Sequence, residues 1–161
     1  MSAERRLAEL GLTLPEVPAP LAAYVPAVRS GNHVYSSGQL PLVNGKLLAT
    51  GKVSTASTSG AVGAVVTPEQ AYDCARQCAL NALAAVRTET GDLEVITRVV
   101  KTVVYVASAP DFTGQPQVAN GASELFGAVF GDPGQHARSA VGVAALPLDA
   151  PVELELIVEV G

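Results

Sequence analysis

The segment Val152–Val160 reads Val-Glu-Leu-Glu-Leu-Ile-Val-Glu-Val, with Val152, Leu154, Leu156, Val158 and Val160 on one parity and Glu153, Glu155, Ile157 and Glu159 on the other. A period of two belongs to a strand, whose successive side chains point to opposite faces of a sheet. The chain must therefore build a sheet with one packed face and one of different character. Residues 98–107 form a second extended run, and Val99, Val100, Val103, Val104 and Val106 within it are β-branched. That density predicts a central strand with both faces largely buried.

Helices are signalled as clearly. Thr67-Pro68-Glu69-Gln70 supplies an N-cap Thr, a Pro in the first turn and a capping-box Gln, predicting a helix from 68 to about 90 that stops at Gly91. Its stripe of Ala71, Cys74, Ala75, Cys78, Ala82, Leu83 and Val86 has helical spacing and small side chains, suited to close approach to a sheet. A second helical pattern over 111–130 carries Val118, Ala122, Leu125, Phe126 and Val129 on one side. Upstream, residues 25–29 and 33–39 read as a hairpin about Ser30-Gly31-Asn32. Asn44-Gly45 is a further turn that adds a third strand. Residues 54–66 lack periodicity and read as a mobile loop or irregular lid. Residues 139–146 and 152–160 read as a last hairpin joined through Pro147-Leu148-Asp149-Ala150-Pro151. Residues 1–23 form an arm: a short helix capped by Ser2 and stopped at Gly11, then a Pro-rich stretch. The order β-β-β-α-β-α-β-β over a single domain, 1–161, predicts an α+β fold: a mixed sheet with two helices on one face.

Composition limits what such a domain can do. Hydrophobic residues are 48% and charged residues 16%, with the apolar content supplied by Ala and Val and no Trp. Small aliphatics with few charges to cover the outside predict an oligomer. A net charge of −5 and only ten Lys plus Arg give no footprint for a phosphate backbone, so nucleic acid is not expected as a partner. No window reaches the ~18 uninterrupted apolar residues of a membrane span, and charges interrupt any secretory leader, so a soluble, cytoplasmic protein is expected. Cys74 and Cys78, spaced i, i+4, are expected to be core residues in a reducing compartment. His33 and His136 stand apart from each other and from cysteine, so no metal site is expected, and each is assigned a surface or core role.

Templates for a nucleophilic serine, a phosphate loop, a zinc helix and a dinucleotide turn are all missing, and no cofactor is expected. What remains is a sparse polar set: Tyr24, Ser37, Gly38, Gln39, Asn120, Arg138, Ser139 and Glu153. Ser36-Ser37-Gly38-Gln39-Leu40-Pro41, Val99 through Val106, Ala137-Arg138-Ser139-Ala140-Val141 with Leu146-Pro147, and Val152-Glu153-Leu154-Glu155 occur in that order. Together they resemble the RidA/YjgF family over roughly residues 24–160.

The resemblance implies a chorismate-mutase-like fold, a homotrimer with a site in each intersubunit cleft, and hydrolytic deamination of reactive 2-imino or 2-enamino acids to 2-oxo acids and ammonia. Such a substrate offers a carboxylate and an electrophilic C=N carbon. A guanidinium anchors the first through two parallel charge-assisted hydrogen bonds, and a carboxylate directs water at the second. By motif, Arg138 binds the substrate carboxylate, Glu153 orients water and moves protons, and Tyr24, Ser37, Gly38, Asn120 and Ala140 line the cleft. The chain departs from the family pattern at Ala140, where the archetype has Cys, and at His136, where members usually carry Pro. Those changes motivate an alternative: a trimer of the same fold that binds small carboxylates without turning them over. Read as a terminal hairpin, the last two strands place Arg138 opposite about Val160 and roughly 23 Å along the strand from Glu153, so that the two residues meet only between subunits.

Overall fold

The computed structural model describes residues 2–18, 23–55 and 64–161. Helix α1 (Ala3–Glu9) is followed by strands β1 (Ala27–Ser30), β2 (His33–Ser36), β3 (Leu42–Val43), β4 (Lys46–Leu47), β5 (Lys52–Val53) and β6 (Val65–Val66). Then come α2 (Pro68–Thr90), β7 (Ile96–Ala107), α3 (Gln115–Phe130), β8 (Ala137–Val143) and β9 (Val152–Val160). One five-stranded sheet, in the order β1-β2-β9-β7-β8, carries the architecture. Both long helices lie on the same face of it, α2 over β1, β2 and β9 and α3 over β7 and β8.

The helix signals hold in detail. Thr67 accepts from the Gln70 amide, and Gln70 accepts from the Thr67 amide in return, so the capping box is complete. Gly91, at φ +73°, ends α2. Ser2 caps α1, and Gly11 takes the left-handed conformation beyond it. The start of α3 differs: the chain turns through residues 111–114 and the helix begins at Gln115, because the stretch before it offers no side-chain cap and Pro116 suits the first turn.

The last two strands are not a hairpin. β8 pairs in parallel with β7, with Arg138 opposite Thr102, and β9 pairs antiparallel with the other edge of β7, with Glu153 opposite Tyr105. A parallel partner needs a crossover, and α3 supplies it, making β7-α3-β8 a βαβ unit. The connection from Val143 to Val152 then passes the end of β7 through a 3₁₀ turn at Pro147–Asp149. Arg138 is therefore not opposite Val160. β9 finds its second neighbour in β2. The turn at Asn44-Gly45 forms as expected, but β3 and β4 make their own two-stranded ribbon instead of a third strand of the main sheet. Pro41 has no N–H to donate to a ladder, and Asn81 on α2 holds the ribbon by donating to the Leu40 and Leu42 carbonyls. β1 and β2 span less than expected and pair from Ser30↔His33 across Gly31-Asn32. Of the segment read as a mobile loop or lid, 56–63 lie outside the described residues, while β6 pairs in parallel with β5.

The core lies between sheet and helices. Val34, Val99, Val104, Val106, Leu154, Leu156 and Val158 meet Cys78, Leu83, Val86, Val118 and Phe126. β7 is buried on this face only. On the other, Lys101 is exposed and Val103 and Tyr105 are half-exposed, alongside the exposed Val28, Tyr35 and Val141. The two helices touch so closely at Gly121 that a Cβ there would run into the Tyr72 carbonyl, whereas one at Gly127 would meet nothing within 4 Å. Gly121→Ala should lower stability by about 1–3 kcal/mol through overpacking. Gly127→Ala, on the same helix, should raise it by about 0.5–1 kcal/mol. Urea unfolding midpoints of the two variants measure the contrast.

Candidate active site

The polar residues singled out in the sequence gather into two groups on opposite faces of the sheet. Arg138 and Ala140 sit on β8 at the parity of Thr102 and Val104, the helix-facing rows of β7. There α3 presents Asn120 and Ser123, three residues apart on one side of the helix. Arg138 Nη1 donates to Asn120 Oδ1 at 2.8 Å and to Ser123 Oγ at 3.1 Å. No carboxylate pairs with Arg138 among the described residues, whose ion pairs are Arg5–Glu9 and Arg87–Glu4. A half-buried guanidinium held by neutral acceptors keeps its charge available to an anion. It borders an open recess of about 330 Å³ shared with Ser123, Gly127, Gly134, Gln135 and His136.

Glu153 belongs to the other face. Its position at the start of β9 is fixed by the two-way backbone pairing of Gln39 with Leu154 and by Ser36 Oγ, which accepts from the Leu156 amide at 3.0 Å. Gly38 lies against the carboxylate, and a Cβ there would collide with Glu153 Oε1. Ser37 spends its hydroxyl proton on the Val25 carbonyl and its amide on the Pro26 carbonyl, tying down the segment that carries the exposed Tyr24. Burial pushes the Glu153 carboxyl above its ordinary value, and the neighbouring Glu155 adds to the shift. Glu155 in turn accepts from the Tyr105 hydroxyl at 3.1 Å.

The fold thus joins Arg138 with Asn120 and Glu153 with Gly38, and it separates the two groups within a chain. Their register positions on β7 are three residues apart, about 10 Å along the strand, and the width of β7 separates them by a further ~10 Å. Ser123, Glu155 and Tyr105 are not among the expected site residues, and His136 is expected at the cleft only as a departure from the family pattern. Its ring is half-buried, with Nε2 at 2.9 Å from Ser123 Oγ and Nδ1 at 2.6 Å from the Gly134 carbonyl. The i, i+3 spacing of Asn120 and Ser123 on the polar flank of an otherwise apolar helix was the one available signal. Cys74 and Cys78 are free and buried, and burial raises the Cys74 thiol to about 11 and Cys78 further, so neither is poised as a nucleophile. Among the described residues no cluster of His, Cys, Asp and Glu could hold a metal, and no helix is long and apolar enough to cross a membrane.

Comparison with known proteins matches this architecture. The family model described as endoribonuclease L-PSP covers residues 15–160. Protein TCP17 of Trypanosoma cruzi is 44% identical over 156 residues, 95% of this chain and 91% of that protein. A 2-iminobutanoate/2-iminopropanoate deaminase of Dermatophagoides farinae is 31% identical over 148 residues, 91% of this chain and 93% of that protein. The crystal structure of a protein of unknown function from Agrobacterium tumefaciens superposes with a TM-score of 0.85 at 47% identity, covering 99% of this chain and 93% of the other. The fold and its polar edge define a small α+β protein with a mixed sheet backed by two helices. The chain belongs to the RidA/YjgF family.

The Glu153 environment has a thermodynamic consequence. A carboxyl raised in the folded state binds its proton more tightly there than in the unfolded chain. The resulting stability is complete below the ordinary carboxylate range and is lost as pH rises through the raised value. Glu153→Gln cannot ionise, so its melting temperature should gain on wild type as pH climbs from acid to neutral. Parallel melting curves for the two proteins would refute the assignment.

Proposed function

We propose that the chain is the protomer of a homotrimer that hydrolyses 2-imino and 2-enamino acids to 2-oxo acids and ammonia in clefts between subunits. The observation that carries this reading is Arg138, a fixed cation with no carboxylate partner among the described residues, at the edge of an open recess. The deaminase among the relatives gives the reaction class. Arg138 holds the substrate carboxylate through paired hydrogen bonds, and Asn120 keeps the guanidinium in place. Glu153, whose raised carboxyl is a stronger base than an ordinary glutamate, takes a proton from water as its oxygen adds to the C=N carbon. Returned to nitrogen, that proton completes the carbinolamine, and transfer of its hydroxyl proton to the nitrogen then breaks the C–N bond, giving the 2-oxo acid and ammonia. Because Arg138 and Glu153 occupy opposite faces of one sheet, a complete site takes the arginine from one subunit and the glutamate from its neighbour. The exposed Val28, Tyr35 and Val141 on the sheet face away from the helices supply apolar area for such contacts. Tyr24, Ser37, Gly38 and Ala140 line the cleft. The free thiols support a reducing compartment, which we take to be the cytoplasm.

One observation favours a second reading, a carboxylate-binding trimer without turnover: Ala140, beside Arg138 on the same side of β8, offers no reactive group. An amino-acid oxidase generating 2-iminobutanoate in place separates the two. Faster loss of the imine supports hydrolysis, and 2-oxo acid binding with no rate effect supports the binder.

Arg138→Lys loses the planar fork and one charge-assisted hydrogen bond, ~1.5–3 kcal/mol. Calorimetric affinity for 2-oxobutanoate should fall on the order of 10–150-fold without a change in light-scattering mass, which should be roughly three times the 16.4 kDa of one chain. Subunit mixing tests the shared cleft. Arg138→Ala and Glu153→Gln trimers should each be inactive, and refolding them together should restore activity in clefts that pair two unmutated residues. Hetero-trimers that form without recovering activity would place both residues in one chain or remove Glu153 from the chemistry.

A further inference from the structure

Arg138 has five N–H hydrogens, and the described residues account for two of them. Both belong to Nη1 and point to Asn120 Oδ1 and Ser123 Oγ. Nε and Nη2, the side-on edge that matches a carboxylate with two parallel bonds, have no partner among the described residues. What keeps that edge from swinging is decided one bond further out. The Gly134 carbonyl can only accept, so His136 carries a hydrogen on Nδ1, and the neutral imidazole then turns its Nε2 lone pair to Ser123. The Ser123 hydroxyl therefore donates to His136 and directs a lone pair at Arg138. Each donor in this relay is set by the group behind it, from a backbone carbonyl to the guanidinium. The imidazole is itself held edge-on to the buried Phe126 ring, with centroids 5.4 Å apart and planes at 90°. Asn120, Ser123 and Phe126 succeed one another at three-residue steps on α3, so a single helix face carries the acceptors and the wall against which His136 rests.

We propose that Ser123 and His136 are positioning residues, which orient the side-on edge of Arg138 for the carboxylate of a 2-imino or 2-oxo acid. The proposal rests on the carboxylate-anchoring reading above and adds to it the residues that make the anchor directional. Neither side chain touches the reacting carbon. Their effect falls on substrate affinity, with the chemical step left alone.

The test combines 2-oxobutanoate calorimetry, melting temperature and steady-state kinetics with 2-iminobutanoate. Ser123→Ala and His136→Phe should each weaken 2-oxobutanoate binding roughly 10-fold, the cost of one hydrogen bond to a charged group. KM should rise correspondingly, with kcat within about twofold of wild type. Ser123→Thr keeps the hydroxyl and should bind as wild type does. In an Arg138→Lys background, Ser123→Ala should add no further loss, because an ammonium has no fork to orient. A general packing defect would persist in that background and lower the melting temperature. Because the two single variants act on the same relay, either one that melts as wild type suffices for the comparison. If wild type and Arg138→Lys differ as expected but Ser123→Ala and His136→Phe bind like wild type, the positioning role is overturned and the anchor stands. Equal losses in Ser123→Ala and Ser123→Thr would also overturn it. A wild-type protein that binds no 2-oxobutanoate overturns the anchor, and the positioning role with it.

Discussion

The structure depends on β9 lying between β2 and β7. Its alternation sends Val152, Leu154, Leu156, Val158 and Val160 under the helices and leaves Glu153, Glu155, Ile157 and Glu159 on the opposite face. Moving that register by one residue would put three carboxylates into the core and five aliphatic side chains outside. The pairing is pinned from both sides, through Tyr35↔Ile157 on β2 and Tyr105↔Glu153 on β7. The carboxylate that stands out on the open face is thus placed by the same pattern that fills the core.

β7 has the complementary part. Its antiparallel edge takes β9 and its parallel edge takes β8, so the two strands that carry Glu153 and Arg138 are referenced to one ruler. Parity along that ruler assigns the residues to different faces. Neighbouring groups then determine their character. Around Arg138 they are neutral hydrogen-bond acceptors that leave its charge unmatched, and around Glu153 they are burial and a second carboxylate that oppose ionisation.

Features encoded over a few neighbouring residues were legible in the sequence. The Thr67–Gln70 capping box, the Gly11 and Gly91 stops, the turn at Asn44-Gly45 and the core stripe of α2 all form as local stereochemistry dictates. Strand adjacency was not, since hydrophobic periodicity says which face of a strand is buried and nothing about which strand lies next to it. Consecutive strands joined by a Pro-flanked linker read as a hairpin, and only the crossover of α3 shows why β7 intervenes. The second face of β7 is half-covered within one chain, because a run of valines marks a face to be covered without saying whether its own chain or another supplies the cover. Arg138 and Glu153 emerged from short motifs in order, whereas Ser123 and His136 acquire a relationship only when α3 packs beside β8 and brings their side chains to 2.9 Å.

The central placement of β9 also has a temporal meaning. Its partners come from residues 33–35 and from β7, so the sheet is completed across more than a hundred residues of chain. Until residues 152–160 leave the ribosome, β2 and β7 each present an open backbone edge, and α2 has only part of its platform. Topologies of this kind fold slowly because distant segments must meet before their contacts repay the lost entropy. Unpaired edges are also the surfaces on which nascent chains associate. The strand that completes the fold is thus also the one that ends its most vulnerable interval during synthesis.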